Sequence, residues 1–326
     1  MKKANYFNKN ALSIIIPNLN GEEFLPNCLE SLKKAIDLAK ITVEIILVDN
    51  ASSDTSPKIF TSFCQNHKII YQTIELKKNF GFAGAVNRGV EASKFDWILI
   101  CNNDLKMDNK WLLLTTNLLT TKLLTKVVAI TGTVLNYDGS KFESQGLKFY
   151  YSGKCDNISN GKPFSTTYLK HYSSSELIWG ASAALTAYNK AIFNKVGGFD
   201  EDFFAYEEDV DLSLRLHNLG YKTLYVPNAL SYHLGGATSS RMGNFRHRMD
   251  AKNWIYIILK NYSKKEIMDN LFPIIEQRLR NFSGLIKNTP FKHILRDVFR
   301  TYAQVCKNMK KMRAKRKEIE KLYLKS

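Results

Sequence analysis

Four apolar runs of strand length, each followed by a helical stretch, fill the first 125 residues and restrict the fold more than any other feature. Ser13-Ile-Ile-Ile-Pro17 reads as a buried strand stopped by Pro17, and Glu22 to about Ala39 carries Phe24, Leu25, Cys28, Leu29 and Leu32 at helical spacing. Val43-Glu-Ile-Ile-Leu-Val48 is a second strand, followed by a helix through Phe63. Lys68 to Thr73 is a third, and Trp97-Ile-Leu-Ile-Cys101 a fourth. Strands that alternate with helices in this way pair in parallel through crossovers. The expected class is therefore α/β, with a Rossmann-like, mostly parallel central sheet and helices on both faces.

In such a sheet, ligands bind beyond the C-terminal ends of the strands. The residues there are Pro17, Asn18 and Asn20 after the first strand, Asp49 and Asn50 after the second, and Asn102, Asn103 and Asp104 after the fourth. Neither GxxxxGK[ST] nor a GxGxxG in the first strand–helix turn is present, which disfavours nucleotide triphosphatases and dinucleotide enzymes. Asp104 can offer a hard oxygen to Mg²⁺ or Mn²⁺, and His233, ahead of Gly235-Gly236 and a Thr238-Ser239-Ser240 phosphate loop, can add a nitrogen.

Residues 127–135 predict a further strand, 136–175 loops and short strands over the site, and Glu176 to Tyr188 a strand running through Trp179-Gly-Ala-Ser. Two short strands, Tyr221 to Val226 and Leu230 to His233, are expected around Pro227. Ahead of them, Asp200 to Arg215 packs seven carboxylates into twelve residues, among Phe203, Phe204 and Tyr206. Carboxylates held against aromatics sit where a pKa can rise and a side chain can serve as a base. The plainer reading is an acidic helix start, favoured by the macrodipole.

Taken in order, Ser13–Pro17 with Asn20, Val48-Asp-Asn-Ala-Ser-Ser-Asp54, the Asn79 to Gly89 segment, Asn102-Asn-Asp104, Gly197-Gly-Phe-Asp200 and Glu208-Asp-Val-Asp-Leu-Ser-Leu-Arg215 resemble family 2 glycosyltransferases of the GT-A fold, especially the bacterial rhamnosyltransferase-like branch. The resemblance covers about residues 11–236. It implies a nucleotide-diphosphate sugar donor, with dTDP-L-rhamnose suggested by the branch and UDP-hexoses the alternative, a divalent Mg²⁺ or Mn²⁺, and an inverting single displacement onto a glycan or polyprenyl-linked acceptor. By that analogy Asp209 is the base, supported by Glu208 and by Arg215. Asp49 contacts the pyrimidine, and Asn79 and Asn87 join the donor side. Asp104 holds the metal, His233 contacts the metal or the diphosphate, and Trp179, Gly180, Asp200 and Tyr206 line the acceptor side. The first position of the family's DxD element is Asn102, one charge fewer. A nucleotide-sugar-binding protein without turnover is the competing reading.

The net charge of +17 is unevenly placed. Residues 241–326 hold 22 Lys and Arg against 7 Asp and Glu, whereas residues 1–240 hold 25 against 23. The expected division is thus a catalytic domain at 1–238 and a basic, amphipathic helical extension at 239–326 that docks on an anionic membrane, with Trp254-Ile-Tyr-Ile-Ile-Leu259 inserting shallowly. Deleting residues 303–326 is expected to leave activity on a soluble acceptor analogue intact and to lower binding to anionic vesicles. Nucleic acid is not expected as a partner, because the aromatics lie on the apolar face. The five scattered cysteines lack CxxC spacing and read as reduced thiols, and the N-terminal apolar run is too short for a signal peptide. Location is expected to be cytoplasmic, peripheral on the inner membrane face.

Overall fold

The computed structural model describes residues 11–119, 126–165, 167, 175–235 and 243–324. The expected boundary at 238 and the Thr238–Ser240 phosphate loop lie outside these residues. β1 (Ala11–Asn18), β2 (Thr42–Asp49), β3 (Ile70–Glu75) and β4 (Trp97–Cys101) pair in parallel, in the order β4-β1-β2-β3. Pro17 is tolerated in a central strand because β4 pairs only with Ser13 to Ile15, so no ladder bond is lost there.

Strand alternation splits the core between two layers. Ile14, Ile16, Ile45 and Leu47 pack with α1 (Leu25–Ala39), α2 (Ser56–Asn66) and α4 (Trp111–Leu119). Ile15, Ile46 and Val48 face α3 (Gly81–Ala92), α5 (Lys190–Lys195) and α6 (Glu208–Asn218). Helices therefore cover both faces, as the periodicity requires.

The second half of the sheet is mixed. β6 (Val127–Asn136) pairs in parallel with β12 (Lys222–His233), while β11 (Leu185–Asn189) runs antiparallel between β4 and β6. β5 (Leu105–Met107), β7 (Phe142–Ser144) and β10 (Glu176–Ile178) are antiparallel additions. The expected strand through Trp179–Ser182 is interrupted: β10 ends at Ile178 and β11 begins at Leu185. The two strands expected around Pro227 are one, β12, whose pairing with β6 shifts register between Val226 and Leu230. The shift absorbs the proline, which cannot donate to a ladder. A small sheet of β8 (Leu147–Tyr150) and β9 (Lys154–Asn157) completes the region expected to be loops and short strands.

The basic segment forms α7 (Phe245–Asn261), α8 (Lys264–Asp269), α9 (Leu271–Lys287) and the long α10 (Ile294–Tyr323). Trp254, Tyr256, Ile257 and Ile258 do not insert anywhere: they are buried with Phe203, Val210 and Leu214 in a core shared with α6. Lys260 on α7 reaches Asp200 at 2.7 Å and Asp211 at 2.8 Å, with all three side chains buried. Lys311 and Lys315 on α10 pair with Asp202, and Lys315 also with Asp200. A cut at 303 would remove these lysines together with the buried Met312 and Ile319, so it cannot spare the packing.

Candidate active site

The ends of β1 and β2 meet in one buried polar network. Asn18 and Asp49 are register partners, and Asn18 Nδ2 donates to Asp49 Oδ1 at 3.0 Å and to Ser56 Oγ at 2.8 Å. Asn103 Nδ2 in turn donates to Asn18 Oδ1 at 2.8 Å. Asp49 also accepts from Ser52 N at 3.0 Å and Ser52 Oγ at 2.5 Å, which leaves about one of a carboxylate's four acceptor sites for a ligand. Asn20, with φ of 50°, caps the turn by accepting from Ser53 N at 2.8 Å. Gly21 is required beside it, since a Cβ there would lie 2.2 Å from Asn18 Oδ1. Asn50 holds the next loop: it donates to Asn79 Oδ1 at 2.9 Å and accepts from Phe80 N at 2.8 Å.

A second group gathers after β4. His233 Nε2 lies 3.1 Å from Asp104 Oδ1 and 3.2 Å from the Asn102 amide, while Nδ1 contacts Glu143 Oε1 at 2.7 Å. Burial alone would depress the His233 pKa, but the two carboxylates outweigh it and push the imidazole up to about 10. Glu143 fixes the ring so that Nε2 faces Asp104, and a metal ion binding there would displace the Nε2 proton. An oxygen and a nitrogen 3.1 Å apart suit adjacent corners of an octahedron with bonds of about 2.1 Å, which is a fit for Mg²⁺ or Mn²⁺. Among the described residues no cluster of three or more His, Cys, Asp or Glu could hold a metal, so the remaining corners would fall to ligand oxygens and water. Asn102 Oδ1 is buried with no donor among the described residues, an acceptor suited to a hydroxyl.

Asp209 lies on the same sheet edge. Its Oδ2 accepts from Ala183 N at 3.0 Å, and the neighbouring Ala184 carbonyl accepts from Asn102 N at 3.0 Å. Oδ1 accepts from Val210 N at 2.8 Å, as expected at a helix start. Burial raises the Asp209 pKa and the backbone donors only partly oppose it. Glu208, buried and with Oε2 unpaired among the described residues, is raised by burial first and by Asp209 second. The loop leading in is strained: Phe204, Tyr206 and Glu207 all have φ between 67° and 69°. It is held from α7, where Asn253 Nδ2 donates to the carbonyls of Phe203, Ala205 and Tyr206 at 3.1, 2.9 and 2.7 Å.

Several expected ligand residues have other work. Asn87 accepts from Phe199 N at 3.0 Å and donates to Phe199 O at 2.7 Å, clamping α3 to the loop after α5; its amide is spent there. Asp200 is turned into the interface with α7 and α10, where Lys260 and Lys315 hold its carboxyl well below the usual range against the cost of burial. Trp179 stacks on Phe149 at 4.8 Å and approaches His217, at the opposite end of α6 from Asp209. Gly180 is a packing requirement, because a Cβ would lie 2.6 Å from the Ser213 side chain. Tyr206 contributes its carbonyl to Asn253 and its ring to Phe245 and Arg246. Arg215 supports α6 as expected, pairing with Asp211 at 2.7 Å and donating to Gly198 O at 2.7 Å. Glu143 and Asn253 were not legible as site residues; Glu143 lies in an unpatterned stretch and Asn253 inside a helix of the basic segment.

Comparison with known proteins accords with this geometry. The family model described as Glycosyl transferase family 2 matches residues 13–197, and Glycosyl transferase family group 2 matches residues 156–305. The N-acetylglucosaminyl-diphospho-decaprenol L-rhamnosyltransferase of Mycobacterium tuberculosis is 25% identical over 236 residues, which cover 63% of this chain and 71% of the relative. The poly-beta-1,6-N-acetyl-D-glucosamine synthase of Staphylococcus epidermidis is 23% identical, over 68% of this chain and 50% of its own length. Among solved structures, GalNAc-T7 with UDP, GalNAc and Mn2+ superposes with a TM-score of 0.59 at 15% identity, over 89% of this chain and 56% of that one. The mannosyltransferase of Pyrobaculum calidifontis with GDP-Man and Mn2+ gives 0.52 at 12% identity, over 94% and 84%. The first family match spans more than half of the sequence, and the chain belongs to glycosyl transferase family 2, a glycosyltransferase of the GT-A fold.

Proposed function

We propose that the protein transfers a sugar, with inversion, from a nucleotide-diphosphate donor to a hydroxyl of a lipid-linked glycan, with Asp209 as the base. The observation that carries this reading is the link between Asp209 and the Asn102–Asp104 turn through the Ala183-Ala184 peptide. It sets a carboxylate of raised proton affinity on the edge where Asn18, Asp49 and Asn102 offer their polar groups. In the reaction the acceptor O–H gives its proton to Asp209 as its oxygen attacks the anomeric carbon. The bond from that carbon to the donor diphosphate breaks, and its electron pair leaves with the diphosphate. A carboxylate with raised pKa is matched to this task near neutral pH.

Asp49 would hold the nucleoside end, beside the loop that Asn50 fixes through Asn79, Phe80 and Gly81, and Asn102 would accept from a ribose hydroxyl. Asp104 and His233 would hold Mg²⁺ or Mn²⁺, which when bound supplies charge neutralisation for the leaving diphosphate. Glu143 keeps the His233 ring turned towards Asp104. The relative acting on a decaprenol-linked substrate supports a polyprenyl-diphosphate acceptor and a dTDP-L-rhamnose donor, in cell-surface polysaccharide synthesis. A thermal-shift panel of dTDP-L-rhamnose, UDP-hexoses and GDP-mannose, with and without Mn²⁺, tests this. A donor at about a hundred times its Kd should add about 2.7 kcal/mol of stability. No response to any nucleotide sugar would contradict the reading.

A further inference from the structure

The C-terminal helices are packed on one side and left apolar on another. Phe272 is 83% exposed, Leu279 62%, Phe291 93%, Leu295 87% and Phe299 74%. On α9, at about 100° per residue, Phe272, Ile275 and Leu279 fall within about 60° of one another, well away from the buried Ile274 and Leu285. On α10, Leu295 and Phe299 lie about 120° or more from the buried Asp297 and Thr301. The rings of Phe282 and Tyr302 meet at 6.0 Å where the two helices touch. By the same count each of those rings borders its own helix's exposed stripe, so the two stripes flank one contact and form one surface.

Exposed basic side chains accompany this surface, and by the same count Lys287 borders the α9 stripe. Lys287, Lys292 and Arg300 are exposed, and none has an acidic partner among the described residues. Contiguous exposed aromatics and leucines beside unpaired cations are the composition of a face that lies in a membrane interface. A second copy of the chain would bring the same cations against these and be repelled, whereas anionic headgroups neutralise them while the acyl boundary takes up the rings.

We propose that the α9–α10 face docks the protein on an anionic phospholipid bilayer, with Phe272, Leu279, Phe291, Leu295 and Phe299 entering the interface. This deepens the reading of a lipid-linked acceptor and rests on it only for its purpose. The binding itself is measured without donor or acceptor, so failure of one does not imply failure of the other.

The test is co-sedimentation of the full chain with vesicles of phosphatidylglycerol and phosphatidylcholine, against vesicles of phosphatidylcholine alone. The expected result is binding to the anionic vesicles that weakens with salt, and at least about ten-fold weaker binding for Phe272→Ser/Leu295→Ser/Phe299→Ser. Sugar release from the donor should be unchanged in that variant. Lys287→Gln/Lys292→Gln/Arg300→Gln should bind about ten-fold less and is independent of any misfolding of the first variant. Absence of vesicle binding by the natural chain overturns the proposal, as does equal binding by both variants. So does a natural dimer, seen by light scattering, that the serine variant converts to monomer.

Discussion

The side chain of Asn253, in the first helix of the basic segment, donates at 2.7 Å to the carbonyl of Tyr206, three residues before Asp209. With its bonds to Phe203 and Ala205, it holds a loop in which Phe204, Tyr206 and Glu207 all have positive φ. The C-terminal helices are therefore part of what aims the proposed base. Asn253→Ala removes the donor that the Phe203, Ala205 and Tyr206 carbonyls share and should cost about 1–3 kcal/mol. It should lower kcat while donor affinity, measured by calorimetry, stays close to that of the natural protein. A lowered affinity with unchanged kcat would place Asn253 outside this role.

The ion pairs of Lys260 with Asp200 and Asp211 make a second prediction. Removing one member of a buried pair leaves the other charges uncompensated, so Lys260→Ala should destabilise by about 3–5 kcal/mol in urea unfolding. Burial opposes ionisation of Asp200 and Asp211, yet their cationic neighbours hold both below the usual carboxylate range. For a depressed pKa, the contribution is present above the unfolded value and lost as pH falls through the folded one. Stability should thus decline below about pH 4, and less steeply in Asp200→Asn. An acid limb of the same slope in that variant would count against the network.

Much of this was legible in the sequence, and the failures have physical causes. The runs Ser13–Ile16, Val43–Val48 and Trp97–Cys101 are apolar because both faces of a parallel sheet are covered, so strands and ligand edge follow directly. The basic segment misled because its net charge says nothing of pairing: Lys260, Lys311 and Lys315 meet acids 49 to 115 residues away. Trp254–Ile258 is apolar because it packs on α6. Asn87 and Asp200 sit beside the edge in sequence order, but their side chains are used up by Phe199 and by the lysines.

Glu143 is expected to act on the metal through His233. Glu143→Gln should weaken Mn²⁺ binding in the presence of nucleoside diphosphate by about 10- to 100-fold. Electron paramagnetic titration of free Mn²⁺ reads this without turnover. An unchanged titration would leave Glu143 with a packing role only.

The pH profile offers a separate reading of Asp209. Its raised pKa means that the base is protonated, and idle, at pH values where an ordinary aspartate is ionised. The acid limb of kcat/KM should therefore lie above about pH 4, the usual aspartate value. A limb at or below that value would remove burial as the cause.

The central claim is that Asp209 accepts the proton from the acceptor hydroxyl. Asp209→Asn keeps the size and can still accept from Ala183 N, but it cannot take a proton. With the donor identified by thermal shift, transfer by this variant should fall by about a hundred- to ten-thousand-fold while donor affinity stays within about two-fold. Transfer within a few-fold of the natural protein, at equal donor affinity, would contradict the account.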